Sequence, residues 1–170
     1  MFGTLMSARV GYESELQRQL RDLICLAVVG DHVRWVLTDD DELGAWLAEA
    51  AGKWRGWAEE VAAQLVASDV APDGRVRSLA KDIPLNWVPE GWLSGDDARR
   101  LIAERLALVA QWALYRHSQA KGADADLLDR VASGLEAQLR ARRKSGQIHT
   151  ERERRSQDAV VRSERPRAGR

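Results

Sequence analysis

The 170-residue sequence has little of what staples, spans or breaks a fold: one cysteine, four prolines and no run of eighteen apolar residues. The single Cys25 excludes an internal disulfide framework and every cysteine-based zinc motif. Its setting, Leu23-Ile24-Cys25-Leu26-Ala27-Val28, favours a small buried hydrophobe over a reactive thiol. With no long apolar run there is no candidate membrane span, and the start MFGTLMSARV has no basic stretch leading into an apolar core. A soluble, cytoplasmic protein with no membrane partner is the expectation. Strand signals are missing as well, since no segment alternates polar and apolar residues for more than about four positions.

Charge is present in quantity but unevenly placed. The 26 basic and 26 acidic side chains cancel over the whole chain, yet Met1–Leu139 holds 15 basic against 22 acidic residues, a net −7. Arg140–Arg170 holds 11 against 4, a net +7. This basic segment is rich in Arg and nearly free of large apolar residues after Ala141, so it cannot bury a core of its own. Residues 145–170 are therefore expected to form a disordered basic tail on a single domain spanning 1–144.

The body reads as four amphipathic helices. Leu16, Leu20, Leu23, Ile24, Ala27 and Val28 form one stripe at helical spacing, and Leu43, Leu47, Trp54, Trp57, Val61 and Leu65 form a second after the acidic cap Asp39-Asp40-Asp41-Glu42. A third stripe, through Ala98, Leu101, Ile102, Leu106, Val109 and Ala113, follows Ser94-Gly95-Asp96-Asp97; a fourth runs through Leu127, Leu128, Val131, Leu135 and Leu139. The spacing predicts helices near 15–30, 41–68, 96–120 and 124–143. Between the second and third lie about 26 residues, Val70 to Gly95, holding Pro72, Pro84 and Pro89, far more than an antiparallel hairpin needs. The expectation is an all-α, ferritin-like four-helix bundle with a long crossover between helices two and three, and a short helix around Arg75–Lys81 within it.

Several words of the sequence then fall in a familiar order: Val70-Ala71-Pro72-Asp73-Gly74-Arg75, Pro84-Leu85, Pro89-Glu90-Gly91-Trp92, Leu101-Ile102-Ala103-Glu104-Arg105-Leu106 and Leu135-Glu136. Over residues 15–143 the chain resembles the Dps family, the ferritin-like DNA-protection proteins of starved bacteria. The resemblance implies a homo-oligomeric hollow shell, a dodecamer, that oxidises Fe(II) between two-fold-related subunits, stores iron, and binds DNA through a basic tail. It also implies a stress role and a nucleoid-associated place in the cytoplasm. The family's iron ligands follow the pattern His, eleven residues, His, three residues, Asp, ten residues, Asp, three residues, Glu. Laid on this chain, the pattern falls on His32, Gly44, Ala48, Glu59 and Ala63, so two of five positions keep ligand chemistry. The resemblance thus implies a partial iron site at His32 and Glu59 and a degenerate, weak ferroxidase. Two alternatives stay open: an active, divergent ferroxidase drawing ligands from elsewhere, and an accessory subunit that co-assembles with an intact paralogue.

Single residues carry paired readings. His32 is either a structural histidine near a helix end or a metal ligand, and Glu59 either a surface carboxylate or a ligand. His117 and His149 read as solvated. Trp46, Trp54 and Trp57 lie on the apolar stripe of helix two and read as core or interface packing; Gly44 and Ala48 leave volume that such rings could fill. Asp124, Asp126 and Asp129 are, by resemblance, pore-lining acids at three-fold axes, or else first-turn acids that favour the positive end of a helix. Arg140, Arg142, Arg143, Lys144, Arg152, Arg154, Arg155, Arg162, Arg165, Arg167 and Arg170 are expected to hold DNA phosphates without reading bases, diluted by Glu151, Glu153, Asp158 and Glu164. The other reading is a solubilising tail, or one lying on the acidic body.

Overall fold

Helix formation follows the apolar stripes and their caps closely in the middle of the chain and departs from them at both ends. The computed structural model describes the backbone of residues 3–81 and 88–163, and the side chains of 15–81 and 88–145. Its helices are α1 (Gly3–Val36), α2 (Asp41–Ala67), α3 (Val76–Leu79), α4 (Gly95–Gln119) and α5 (Ala123–Ser163). Among the described residues there is no strand, only an isolated parallel bridge between Leu37 and Leu93. No helix of the described residues is long and apolar enough to cross a membrane.

α2 begins where its cap predicts: the Asp40 side chain accepts from the Leu43 N–H at 3.0 Å, and Asp41 and Glu42 sit in the first turn. It ends in a Schellman motif, with Val70 N donating to Leu65 O at 2.9 Å and Asp69 N to Val66 O at 3.0 Å. The residue in the left-handed position is Asp69, at φ 61°. Ser94 caps α4 by accepting from Asp97 N at 3.2 Å.

α1 runs past its expected end at 30, where the first apolar stripe gives out, because Gly30 is a packing position inside the helix. A Cβ on Gly30 would stand 2.7 Å from Trp54 Cζ3, so the small residue lets the α2 indole approach the α1 backbone. Val33 beyond it is buried in the core. α5 likewise runs past its expected end at 143. Its last buried apolar residue is Leu139, and the backbone stays helical to Ser163 through a segment rich in Arg, Glu and Gln, all good helix formers. The composition boundary at 144 therefore falls inside one continuous helix.

Topology follows from which ends meet. Short turns at 37–40 and 120–122 make α1/α2 and α4/α5 antiparallel pairs. Leu93 N donates to Val36 O at 2.9 Å, Thr38 N to Leu93 O at 3.1 Å, and Gly95 N to Asp39 Oδ1 at 2.7 Å. α4 thus starts at the same end of the bundle as α2, and the 68–94 connection must travel its whole length. At the far end, Gln64 near the close of α2 hydrogen-bonds Asp124 at the start of α5. This is the one-crossover, ferritin-like arrangement.

The core joins Leu16, Leu23, Leu26 and Val33 of α1 to Leu43, Leu47, Trp54 and Leu65 of α2, Ile102 and Leu106 of α4, and Leu128 and Leu135 of α5. Cys25 is buried among them. Trp54 is fully buried, donates from Nε1 to Gln138 Oε1 at 2.8 Å, and meets Trp46 edge-on with ring centroids 6.1 Å apart. Trp57 lies against Gly134, where a Cβ would collide with its ring. These rings therefore face α1 and α5. They do not fill the space beside Gly44 and Ala48, which corrects that part of the sequence reading. One charged group is also interior: Arg116 of α4, 6% exposed, donates from Nη1 to Asp22 at 2.6 Å and Gln19 at 2.9 Å, and from Nε to Glu15 at 3.3 Å. A buried guanidinium is tolerable only with such partners.

Candidate metal and nucleic-acid sites

The positions that carry the ligand pattern lie on the outward side of the α1/α2 pair. His32 is half-buried on α1, and Glu59 is exposed on α2. Between them, Arg55 of α2 makes an ion pair with Asp31 of α1, and Arg34 stands 4.0 Å from the same carboxylate. Because the helices run antiparallel, Glu59, one turn beyond Arg55, lies level with residues before Asp31 and away from His32. Gly44 and Ala48 offer no donor. With Arg34, Leu37, Thr38, Asp40, Asp41 and Ala45 they line an open groove of about 310 Å³. Among the described residues, no three His, Cys, Asp or Glu side chains gather as a metal site. One chain by itself presents His32 and Glu59 as separate single ligands, with a guanidinium between their levels.

The same face carries uncovered apolar surface. Val28 and Trp35 stand one turn either side of His32 and are 57% and 64% exposed, and Val66 on α2 is 63% exposed. Gly52 and Gly56 have no atom within 4 Å of where a Cβ would sit. Trp92, near the same end through the Leu37–Leu93 bridge, is 77% exposed, while Trp87 lies outside the described residues.

At the opposite end, the three acids of α5 have separate local roles. Asp124 accepts from Gln64, Asp126 is exposed in the first turn, and Asp129 stands 3.8 Å from His117 Nε2. His117 Nδ1 is 3.1 Å from the Ala125 carbonyl, so that nitrogen carries the proton. His117 is thus half-buried and partnered, where the sequence reading had it solvated.

The cations grouped as a tail separate into three sets. Arg140 pairs with Glu136 at 3.4 Å, and Arg143 and Lys144 are exposed. Arg142 differs: its side chain is only 14% exposed, its guanidinium lies 4.5 Å over the Trp46 ring, and Glu42 is 3.9 Å away. Burial pushes its pKa down. It anchors α5 to the start of α2 and is not a displayed tail cation. Nearby, Arg99 stands 2.5 Å from the buried carboxylate of Asp40, and Gly95 packs so tightly there that a Cβ would lie 3.0 Å from Asp40 Cβ. Arg152, Arg154, Arg155 and Arg162 belong to the helical backbone of α5, their side chains outside the described set; Arg165, Arg167 and Arg170, like His149's side chain, also lie outside it. The sequence reading missed the basic crossover cluster Arg75, Arg77 and Lys81, whose signal was three cations within seven residues of an otherwise acidic body.

No family model matches the chain, and no curated protein matches its sequence. Solved structures do. A Mycobacterium smegmatis Dps aligns at TM-score 0.75 with 18% identity, covering 85% of this chain and 91% of that one. A Dps from Deinococcus radiodurans aligns at 0.71 with 20% identity, covering 79% and 87%. A Microbacterium arborescens Dps in a high-iron form aligns at 0.68 with 17% identity, covering 85% and 95%. The chain therefore has the ferritin-like helical fold of these Dps structures, crossover included.

Proposed function

We propose that this chain is a divergent Dps-type subunit: a ferritin-like protein that assembles as a homo-oligomeric shell, sequesters iron and protects DNA, with a degenerate and weak ferroxidase site. The observation that carries the reading is the uncovered outer face of α1 and α2 on a bundle of this fold. Val28, Trp35, Val66 and the open Gly52 and Gly56 form an apolar, sterically permissive surface that one chain leaves bare, and a second subunit would cover it. Assembly is tested by light scattering after size exclusion. A dodecamer of the 19.0-kDa chain gives about 230 kDa, and a monomer at micromolar concentration refutes the shell.

Iron is the cargo and substrate in this reading. His32 and Glu59 supply single N and O ligands, and any complete set takes donors from a neighbouring subunit or from a co-assembled intact paralogue. Aerobic Fe(II) oxidation is expected to run only slightly above a buffer blank, with His32→Ala changing it little. Rapid, saturable oxidation with two irons per site refutes the weak-site reading in favour of a divergent, active ferroxidase.

DNA protection rests on Arg143, Lys144 and the cations from Arg152 onward, displayed in many copies beside an acidic body in a cytoplasmic, nucleoid-associated protein. Duplex binding should fall by orders of magnitude between about 50 and 200 mM salt. Truncation after Lys144, which leaves only Arg143 and Lys144 of the displayed cations, should weaken it strongly, and a truncated protein that binds as well as the full chain sinks the tail's role.

A further inference from the structure

The crossover carries a basic cluster that neither the outer face nor the tail uses. Arg75, Arg77 and Lys81 line, with Ser78, a groove of about 300 Å³. Its base is held in place from α1: Gln17 donates from Nε2 to Asp73 O at 2.7 Å and accepts from Asp73 N at 2.8 Å. Gly74 packs so closely that a Cβ would stand 3.1 Å from Ile24 Cδ1. The fixed Asp73 carboxylate then receives Arg75 Nε at 2.8 Å, Arg75 Nη2 at 2.9 Å and the buried Ser78 Oγ at 2.7 Å. Two of the five N–H donors of Arg75 are engaged, which orients the guanidinium and leaves the other three for a ligand. Arg77 and Lys81 are exposed and have no ion pair among the described residues; Asp82, next in sequence, lies outside them.

We infer that this groove is an oxyanion site of the phosphate class, with Arg75 presented in a set orientation and Arg77 and Lys81 completing the charge. Three cations against the one carboxylate of Asp73 leave a local surplus of positive charge on a body of net −7. A tetrahedral oxyanion accepts from several directions at once, which suits a guanidinium held at one edge and two exposed cations at the other better than a flat carboxylate does. The cluster is solvent-exposed and screened by salt, so affinity for a single small anion belongs in roughly the millimolar range. The phosphate can belong to free polyphosphate or to a nucleic-acid backbone.

The test uses the full-length protein in a chloride buffer, with arginine modification by phenylglyoxal followed residue by residue in peptide mass spectra. Pyrophosphate at about 10 mM, several times the expected dissociation constant, should slow modification of Arg75 and Arg77 at least severalfold and leave the exposed Arg100 unchanged. The double variant Arg77→Gln, Lys81→Gln should bind pyrophosphate about tenfold more weakly, whereas Lys81→Arg should keep binding, and far-ultraviolet circular dichroism verifies that each variant folds. A short DNA duplex added instead distinguishes the sources: protection of Arg75 and Arg77 by the duplex as well assigns the site to nucleic-acid phosphate, and protection by pyrophosphate alone assigns it to free phosphate. Equal protection of Arg75, Arg77 and Arg100, or unchanged affinity in the double variant, overturns the inference.

Discussion

Replacing Gly30 with alanine sets two opposing effects against each other inside the α1–α2 contact. On propensity alone, a mid-helix Gly→Ala change stabilises by about 1 kcal/mol. Here the new Cβ would stand 2.7 Å from Trp54 Cζ3, well inside an ordinary carbon–carbon contact, so the ring must recede. It has little room: Trp54 is fully buried, bonded at 2.8 Å to Gln138 and met edge-on by Trp46. Overpacking of this kind costs about 1–3 kcal/mol, and losing the Gln138 bond adds about 1 kcal/mol. The net expectation is destabilisation by roughly 1–3 kcal/mol. In a Trp54→Phe background the overlapping ring edge is gone, and the same substitution should become neutral or stabilising. A double-mutant cycle by urea denaturation, followed by circular dichroism at one fixed protein concentration, should return a coupling of about 2 kcal/mol. Stabilisation by Gly30→Ala in the wild-type background, or a coupling under about 0.5 kcal/mol, would refute the argument that the indole dictates the glycine.

Asp69 holds a left-handed conformation that glycine adopts without strain, so Asp69→Gly should raise stability by about 0.5–1 kcal/mol in the same denaturation assay. Arg142→Ala should lose about 0.5–2 kcal/mol of cation–π attraction and shift tryptophan emission to the red as Trp46 gains water. The Asp73 carboxyl is held well below the usual carboxylate range, chiefly by the Arg75 guanidinium and then by the Ser78 hydroxyl and the Arg75 N–H. Its contribution to the crossover is therefore present above the unfolded-state pKa, near 3.8, and is lost as pH falls through the lowered folded value. The protection of the Arg75 amide, its exchange rate compared with an unstructured amide at the same pH, should fall in that acid range, and Asp73→Asn should show the reduced protection already at neutral pH with no further loss in acid; acid-insensitive protection in the wild type would contradict this.

The bundle was legible because its signals are local. The stripe through Leu43, Leu47, Trp54, Val61 and Leu65, the Asp40 and Ser94 caps, and the Pro-bearing connection after Val70 each act within a few residues of themselves, and together they name four helices and one crossover. Local signals also misplaced the helix ends. The first stripe gives out near 30 although Gly30 packs against the Trp54 ring inside a helix that continues, and the residues after Leu139 have no stripe although their backbone is helical.

The candidate sites were less legible, since they depend on which side of a helix meets which neighbour. The tail reading treated Arg142 like Arg143, but one position of rotation on α5 places it over Trp46, almost 100 residues away in sequence. The Arg116–Asp22 contact joins residues 94 positions apart, and Gln17 reaches 56 positions to hold Asp73 and, through it, Arg75 and Ser78. Period, caps and composition determined the helices, their order and the separation of acidic body from basic end. The facing of the tryptophans, the pairing of Asp31 with Arg55 beside His32, and the fixing of the crossover cations were decided only when the helices packed, because a contact between distant segments carries no periodic mark in either of them.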